Sequence, residues 1–414
     1  MEKAFSDDTI FNTINHMFIT LKTEDEKETK KYLDLVINKL IEHMKLNDSL
    51  FEKMYEKNIY CGSFYKLTKI EKPNEFDLNI ILKLPVNYNY IQILENRPGY
   101  VQINIKDEAY NNSYTYKNLT DKEKKCLHRY VTPPSIVNPD IFRSWIESII
   151  YKVLDKLPKF KNMSELKIND SPLLIAHIKI RKSGPAFTVI FNIPHKTEDI
   201  CIDLVPALTF HITAIRQFTS KFHILEKCRN DMWFAIPIQL YNNLDYIKFE
   251  KDIYWRISFS LQENEILRKY GNIKTVIRQM KKFRDIQGLK NIASYYIENL
   301  FLNKETDINM DKISRTLLLF KMLEELYYAC ERQEIKWFWN EKYNLLSKIG
   351  KSNLYNISQR LKNIINDIKN NFMDQFIIAK YILSQNEVKE LEERIQNNNA
   401  YQEKQENNVT CNIM

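Results

Sequence analysis

The chain has 414 residues, of which 44% are hydrophobic and 12% aromatic, and its formal net charge is +8. This length and apolar content predict two lobes with a sizeable core, which excludes a disordered protein. The sequence has no run of eighteen apolar residues and no basic segment followed by an apolar one at its N-terminus. We therefore expect neither a membrane span nor a secretory signal.

The charge is distributed unevenly. Residues 1–57 carry nine Lys or Arg and twelve Asp or Glu, a net charge of −3, whereas residues 251–290 carry ten and four, a net charge of +6. A regional cationic face suits a phosphate-rich partner, and the alternative is an ordinary solvated helix face.

The first half of the chain predicts one long helix followed by strands. Apolar residues recur at three- and four-residue spacing from Thr23 to about Lys57, which is typical of an amphipathic helix running toward a turn at Gly62-Ser63. Apolar runs predict strands over Asp77–Leu84, Val101–Ile105, Leu174–Ile180, Thr188–Ile193 and Asp199–Val205. Residues 182–185 (KSGP) predict the turn of a hairpin.

The second half predicts helices. Helical spacing covers Gln262–Tyr270, Ile273–Phe283, Leu289–Leu302, Ile313–Cys330 and Ile357–Phe372. The predicted fold class is therefore α+β and bilobal. Its parts are a long-helix region (1–57), a mixed-sheet lobe (58–250), a helical lobe (251–395) and an Asn- and Gln-rich flexible tail (396–414).

Three segments of the mixed-sheet lobe carry residues suited to nucleotide chemistry. Gly62 allows close backbone approach to a phosphate, and the Ser63 hydroxyl can bind its oxygens. Glu75 and Asp77 occupy positions i and i+2 of a strand, so both carboxylates share a face, and Asp203 lies in a later apolar strand. Such oxygens suit Mg²⁺ or Mn²⁺ and would complete a two-metal site for nucleotidyl transfer. We predict that these three acids are the catalytic residues and the metal ligands.

Each segment alone has a simpler interpretation. A Glu-x-Asp pair occurs on many exposed strands, Gly-Ser forms ordinary turns, and Asp203 could be a buried acid paired with Arg or Lys. The ordered combination of all three favours a nucleotidyltransferase site on a bilobal nucleotidyltransferase fold.

The sequence also resembles the cyclic GMP–AMP synthase family, from about residue 20 to 370. The resemblance is carried by residues 62–65 (GSFY), 73–77 (PNEFD), 203–208 (DLVPAL), 255–260 (WRISFS) and 294–296 (SYY), with Glu263 and residues 265–267 (EIL). Within that family the chain resembles the insect-type cyclic GMP–AMP synthase-like receptors. These are innate immune sensors that make a cyclic dinucleotide for a STING-type receptor.

The resemblance implies further site residues. It places Ser63 on the donor triphosphate, with Gly62 beside it, and Arg256, Ser258, Ser260 and Glu263 at the bases or acceptor pocket. It places Lys281 on the phosphates, although Lys282 leaves that register open by one residue. It also stacks Tyr295 on a base, with Ser294 beside it near the phosphates. The implied substrates are ATP and GTP.

One departure from the DNA-sensing member concerns the activator. No Cys or His occurs between Cys228 and Cys330, and the six cysteines form neither a CxxC pair nor a Cys/His cluster, so we expect no zinc. Scattered cysteines also predict a reducing, cytoplasmic location. The insect-type receptors that this chain resembles also lack the zinc insertion of the DNA-sensing member, and they include sensors of double-stranded RNA. The resemblance therefore implies double-stranded RNA as the activator, read through its phosphates and 2′-hydroxyls, with a dimer forming on the duplex. The predicted contacts are Lys152, Lys156, Lys159, Lys161, Lys274, Arg278 and Lys282.

Three alternatives stay open at this stage. The activator could be double-stranded DNA, the enzyme could be an oligoadenylate-type synthase that makes linear products, or the fold could serve as an inactive nucleotide-binding scaffold. The presence of all three acids favours an active enzyme.

Overall fold

The computed structural model describes residues 2–20, 23–66, 68–70, 75–132, 135–170, 173–183, 186–192, 199–237, 253–304 and 312–397. The chain divides into two compact units. The sheet unit comprises residues 22–67 and 72–265, and the helical unit comprises residues 1–21, 68–71 and 266–414. The boundaries predicted from the sequence, at residues 57, 250 and 395, stay predictions.

The strands are numbered in chain order. They are β1 (Tyr55–Cys61), β2 (Glu75–Leu82), β3 (Ile91–Arg97), β4 (Tyr100–Ile105), β5 (Val131–Thr132), β6 (Ile136–Val137), β7 (Lys159–Phe160), β8 (Met163–Asp170), β9 (Leu173–Ser183), β10 (Ala186–Asn192), β11 (Ile200–His211), β12 (Met232–Ile236), β13 (Trp255–Ser258), β14 (Lys336–Trp337) and β15 (Asn340–Asn344).

The helices are numbered in the same way. They are α1 (Thr9–Ile14), α2 (Thr23–Asn47), α3 (Ser49–Met54), α4 (Gly62–Tyr65), α5 (Asp107–Asn111), α6 (Tyr114–Lys117), α7 (Asp121–Arg129), α8 (Pro139–Lys156), α9 (Phe222–Leu225), α10 (Ser260–Arg268), α11 (Ile273–Ile286), α12 (Ser294–Asn303), α13 (Arg315–Arg332), α14 (Lys351–Asn370) and α15 (Ala379–Ile382). Residues 385–397 are also helical.

Strands β1 to β13 form one mixed sheet, which confirms the predicted α+β class. Strand β2 pairs antiparallel with β1 and parallel with β11. Strand β11 also pairs antiparallel with β10 along its first half and with β12 along its last four residues. Strand β11 is buried at every second position of its first half and at most positions of its second half. It therefore lies at the centre of the sheet, between β2 and the strands β10 and β12.

An apolar cluster lies below the end of the sheet that carries the acids. It consists of Ile59, Ile81, Ala207, Phe234 and Ile236, all at most 9% exposed, which come from four neighbouring strands. Cys61, Val205 and Leu261 pack against this cluster. Because close-packed interiors are hardly compressible, this cluster fixes the backbone positions of β1, β2 and β11.

The predicted long helix ends earlier than expected. It stops at Asn47 rather than near Lys57, and Asp48 adopts extended dihedral angles (φ −145°, ψ 108°). The Asp48 carboxylate accepts a hydrogen bond from the backbone N–H of Phe51 (2.9 Å) and so caps α3. The prediction of one continuous helix was wrong because apolar spacing continues through a capped break.

Most other predicted elements are present. The predicted hairpin is the antiparallel pair β9 and β10, although Gly184 and Pro185 lie outside the described residues. Helix α12 begins at Ser294 rather than Leu289, because α11 ends at Ile286, Gln287 is its C-cap, and Gly288 follows with a φ of +64°. Most of the predicted tail, from residue 398, also lies outside the described residues. No helix in the described ranges is long and apolar enough to cross a membrane.

Candidate active site

The turn after β1 brings the backbone of Gly62 against the side chain of Asp77. Gly62 has a φ of +71°, a left-handed conformation that residues with a Cβ rarely adopt. A Cβ at this position would lie 1.8 Å from Oδ2 of Asp77, far inside contact distance. Glycine is therefore required here both by the backbone conformation and by the approach of the carboxylate.

The three predicted acids lie on two adjacent parallel strands. In the register of β2 and β11, Asp203 is the Cα partner of Asp77, and Cys201 is the partner of Glu75. Neighbouring strands lie about 4.8 Å apart and residues i and i+2 share a face, so all three carboxylates belong to one face of the sheet. Glu75 and Asp77 are exposed, whereas Phe76 between them is buried on the other face.

The last five residues of β2 are buried, and this explains why Glu75 and Asp77 lie at the exposed start of the strand. Every residue from Leu78 to Leu82 is buried, so that part of the strand runs through the core. Five buried positions fix the strand on both faces and leave its first three residues at the edge of the core. The sequence thus places two like charges on a rigid support at the surface.

Asp203 is held by a neighbouring hydroxyl. Thr188 of β10 is its Cα partner on the side away from β2. The Thr188 Oγ1 hydroxyl donates a hydrogen bond to Oδ1 of Asp203 at 2.5 Å, and Thr188 is buried. Sequence reasoning missed Thr188; the only signal was the pairing register of β10 with β11, which two strand predictions do not fix.

Two thiols flank the acids and stay protonated. Cys61 is the partner of Asp77 on β1, and burial raises the pKa of its thiol to about 11. Burial, followed by the negative charge of Glu75, also raises the pKa of the Cys201 thiol. Because both thiols are neutral near pH 7, the anionic groups at this edge are the carboxylates.

The carboxylates of Glu75, Asp77 and Asp203 are a donor set that suits a hard divalent cation. Within the described part of the chain, no three Asp, Glu, His or Cys side chains converge on a point where an ion could bind. The backbones of β2 and β11 already place the acids at paired positions. Carboxylate oxygens are the ligands that Mg²⁺ and Mn²⁺ prefer, and the three acids would supply them. Metal binding by Glu75, Asp77 and Asp203 stays a prediction.

Four of the predicted nucleotide contacts lie at β13 and α10 of the sheet unit. Arg256 and Ser258 lie on one face of β13, and Arg256 is exposed while Trp255 and Ile257 on the other face are buried. Ser260 begins α10, and its Oγ lies 3.8 Å from Sγ of Cys61 at the end of β1.

A buried ion pair ties α10 to the segment that follows Ser63. Nζ of Lys66 lies 3.4 Å from Oε2 of Glu263, and both side chains are at most 10% exposed. The backbone N–H of Lys66 donates to the carbonyl of Gly62 (3.1 Å), which closes the short α4. Glu263 was predicted as a nucleotide contact, and the structure adds this bond to Lys66, a residue that sequence reasoning did not select.

The remaining predicted nucleotide contacts lie in the helical unit. Lys281 is 2% exposed, and its ammonium donates to Oε1 of Glu298 (3.0 Å) and to Oγ1 of Thr68 (2.8 Å). Oγ of Ser294 accepts from Arg284, and the Tyr295 hydroxyl accepts from the Trp337 indole N–H, both at 2.7 Å. Lys282, the alternative to Lys281, is ion-paired with Glu387.

The predicted nucleic-acid contacts are divided between the two units. In the sheet unit Lys152 is exposed on α8, Lys156 donates to Asn47, and Lys159 donates to the carbonyl of Leu154 (2.8 Å). Lys161, also in this unit, is exposed.

In the helical unit Lys274 lies in a cluster of positive charge. Burial, followed by the charges of Arg268 and Arg278, lowers the pKa of the Lys274 ammonium. Such crowding of cations is relieved when an anion binds. Lys282 in the same helix is already neutralised by Glu387, so the cluster consists of Arg268, Lys274 and Arg278.

Comparison with protein families assigns both halves of the chain. Residues 64–269 match the profile described as the Mab-21 protein nucleotidyltransferase domain. Residues 272–363 match the profile described as the Mab-21 protein HhH/H2TH-like domain. The boundary between the two matches falls next to the division between the sheet unit and the helical unit.

Curated relatives come from insects and cover most of the chain. A Trichogramma pretiosum protein is 32% identical over 95% of this chain and 79% of its own length. A Microplitis demolitor protein is 31% identical over 99% of this chain and 74% of its own length, and a Nicrophorus vespilloides protein is 30% identical over 84% and 90%. Each of the three is named a cyclic GMP-AMP synthase-like receptor.

Proposed function

This chain belongs to the cyclic GMP-AMP synthase-like receptor family and carries a Mab-21 nucleotidyltransferase domain, and we propose that it makes a cyclic GMP–AMP-type dinucleotide from ATP and GTP. The strongest support is the strand register, in which Asp203 of β11 is paired with Asp77 of β2. Glu75 lies two residues before Asp77, so all three carboxylates share one face of these adjacent strands. Three carboxylates on a rigid sheet edge are what nucleotidyl transfer with divalent ions needs.

The proposed roles follow from the chemistry of each side chain. Glu75, Asp77 and Asp203 would hold Mg²⁺ or Mn²⁺, and such ions stabilise the charge that develops on a transferring phosphoryl group and activate the attacking hydroxyl. The Ser63 hydroxyl, next to the glycine that seats Asp77, would bind the donor phosphates.

The bases and phosphates have further proposed partners. Arg256 and Ser258, which share the exposed face of β13, would bind a base or an acceptor phosphate. Ser260 and Glu263 of α10 would line the acceptor pocket. Tyr295 would stack on a base, and Ser294 and Lys281 would contact phosphates.

Double-stranded RNA is the proposed activator. The chain carries no Cys or His between Cys228 and Cys330, which leaves no zinc-binding insertion there for DNA. The crowded cations around Lys274 and the exposed lysines of the sheet unit suit phosphate contacts, and A-form duplexes are recognised mainly by shape, phosphates and 2′-hydroxyls. The product would signal to a STING-type receptor from the cytoplasm, and the active form would be a dimer on the duplex.

Product analysis tests this proposal directly. The purified protein is incubated with ATP, GTP and Mg²⁺ or Mn²⁺ alone, with an RNA duplex, or with a DNA duplex of equal length. Chromatography and mass spectrometry then identify the nucleotides formed. We expect a cyclic dinucleotide that depends on the RNA duplex. No cyclic product under any condition overturns the proposal.

The other outcomes separate the alternatives. Cyclic product with DNA alone identifies a DNA-activated synthase. Linear oligomers identify an oligoadenylate-type synthase. Calorimetric binding of nucleotide without turnover identifies an inactive scaffold.

A further inference from the structure

The hydroxyl of Thr188 occupies a specific place in the row of residues that crosses the sheet at the acids. Asp77, Asp203 and Thr188 are successive Cα partners on β2, β11 and β10. Their side chains therefore share one face of the sheet. Within the described part of the chain, Thr188 is the one residue that donates a hydrogen bond to the Asp203 carboxylate.

The geometry of this bond is that of a strong, charge-assisted contact. The distance from Oγ1 of Thr188 to Oδ1 of Asp203 is 2.5 Å, which is the short end of the range for a hydroxyl on a carboxylate. Thr188 is 2% exposed, and a β-branched side chain in a strand has few χ1 rotamers. A buried, stiff donor thus fixes one oxygen of a partly exposed acid.

We propose that Thr188 is a positioning residue that orients the Asp203 carboxylate for divalent-cation binding. This inference rests on the proposed function, because it takes Asp203 to be a metal ligand. Residues that hydrogen-bond a metal ligand set its orientation, and their loss costs roughly 10- to 100-fold in metal affinity or activity. Thr188 holds Oδ1 of Asp203, and Asp203 would hold the divalent cation together with Glu75 and Asp77.

Thr188→Val removes the hydroxyl with little change of shape. Val suits a buried strand position and leaves no new unpaired donor, while the Asp203 carboxylate is partly exposed, so water can replace the lost hydrogen bond. The fold should therefore tolerate the change. Thr188→Ser restores a donor without the methyl group and serves as the conservative rescue.

Thr209 provides a matched control. It lies on β11, the same strand as Asp203, and is 1% exposed, so Thr209→Val makes the same chemical change in the same sheet. Its position six residues from Asp203 is about 20 Å along an extended strand. Loss of buried packing or of general sheet stability would affect both variants alike.

The experiment measures Mn²⁺ binding by electron paramagnetic resonance on the full chain, with unfolding in urea followed in parallel. We expect Thr188→Val to weaken Mn²⁺ binding by about 10-fold or more, Thr188→Ser to stay within about threefold of the native chain, and Thr209→Val to leave binding unchanged. Unchanged Mn²⁺ binding in Thr188→Val, or an equal loss in Thr209→Val, overturns the inference.

A parallel product assay separates this inference from the proposed function. If the native chain makes the cyclic product and Thr188→Val binds Mn²⁺ normally, only the positioning role is refuted. If the native chain makes no product but Thr188→Val and Asp203→Asn both lose Mn²⁺, the metal-positioning role stands and the proposed reaction is refuted. If the native chain fails to bind Mn²⁺ at all, the positioning role is refuted as well.

Discussion

The carboxylates of the sheet unit and of the helical unit have different electrostatic surroundings. At the edge of the sheet unit, Glu75 and Asp77 are exposed beside Asp203, so three like charges share one face. In the helical unit, the Glu298 carboxylate is buried and lies 3.0 Å from the Lys281 ammonium. Like charges that share one face repel each other and favour a cation beside them, whereas a buried pair of opposite charges neutralises itself. The first arrangement suits a cationic ligand, and the second is a buried ion pair between α11 and α12.

Asp77→Asn tests the ligand side of this contrast and should have the largest effect. We expect product formation to fall on the order of a thousandfold or more, as for a group that acts on reacting atoms. The thermal midpoint should change little, because Asn has nearly the size of Asp and position 77 is exposed. Asp155→Asn on the exposed face of α8 is the control and should change neither quantity. Normal turnover in Asp77→Asn would refute the catalytic role.

Glu298→Ala tests the structural side. Removing one partner leaves the Lys281 charge buried, so we expect a loss of about 3–5 kcal/mol in the free energy of unfolding, measured in urea. The double variant Lys281→Met with Glu298→Leu should recover most of that loss, because no charge is left in the core. A Glu298→Ala chain as stable as the native protein would contradict the buried-pair interpretation.

The same double variant also tests the proposal that Lys281 contacts the nucleotide phosphates. If Lys281 contacts phosphates, the stable double variant should show a raised KM for nucleotide. If its role is confined to the helical unit, KM should match that of the native chain.

Gly62→Ala tests the contact that seats Asp77. A φ of +71° and a Cβ placed 1.8 Å from Oδ2 of Asp77 force both the backbone and the carboxylate to move. We expect about 1–3 kcal/mol of lost stability and a larger loss of activity, since the displaced group is a predicted metal ligand. Gly271→Ala is the control, because nothing lies within 4 Å of its added Cβ. Equal effects in the two variants would argue against a special role for Gly62.

Asp8→Ala should have the smallest effect and shows a third use of a carboxylate. Asp8 accepts hydrogen bonds from the backbone N–H groups of Arg315 (3.1 Å) and Thr316 (2.9 Å) at the start of α13. Loss of such a cap should cost about 1 kcal/mol in urea unfolding. Asp8→Asn keeps an acceptor oxygen and loses the charge, so its free energy of unfolding should lie between those of the native chain and Asp8→Ala. No change in either variant would mean that water replaces the cap.

Several features of the fold could be predicted because their causes are local. The apolar run after Asp77, the β9–β10 hairpin and the helices from α10 onward follow from side-chain periodicity. Helix α8 was missed, although Asn138 as N-cap and Pro139 at the first helical position are recognisable in the sequence. The end of α2 was placed too late because Asp48 looks like one more polar position until its capping bond is seen.

The residue types and spacing of the candidate site are visible in the amino-acid sequence: a glycine before a serine, two acids at i and i+2, and a third acid in a later strand. How these residues lie relative to one another depends on the fold. Parallel pairing of β2 with β11 made Asp203 the neighbour of Asp77, and pairing with β10 supplied the Thr188 hydroxyl. The same holds for Asp8 on α13 and for Lys281 with Glu298. Strand register and contacts between distant segments depend on the burial of whole faces, and no local pattern specifies them.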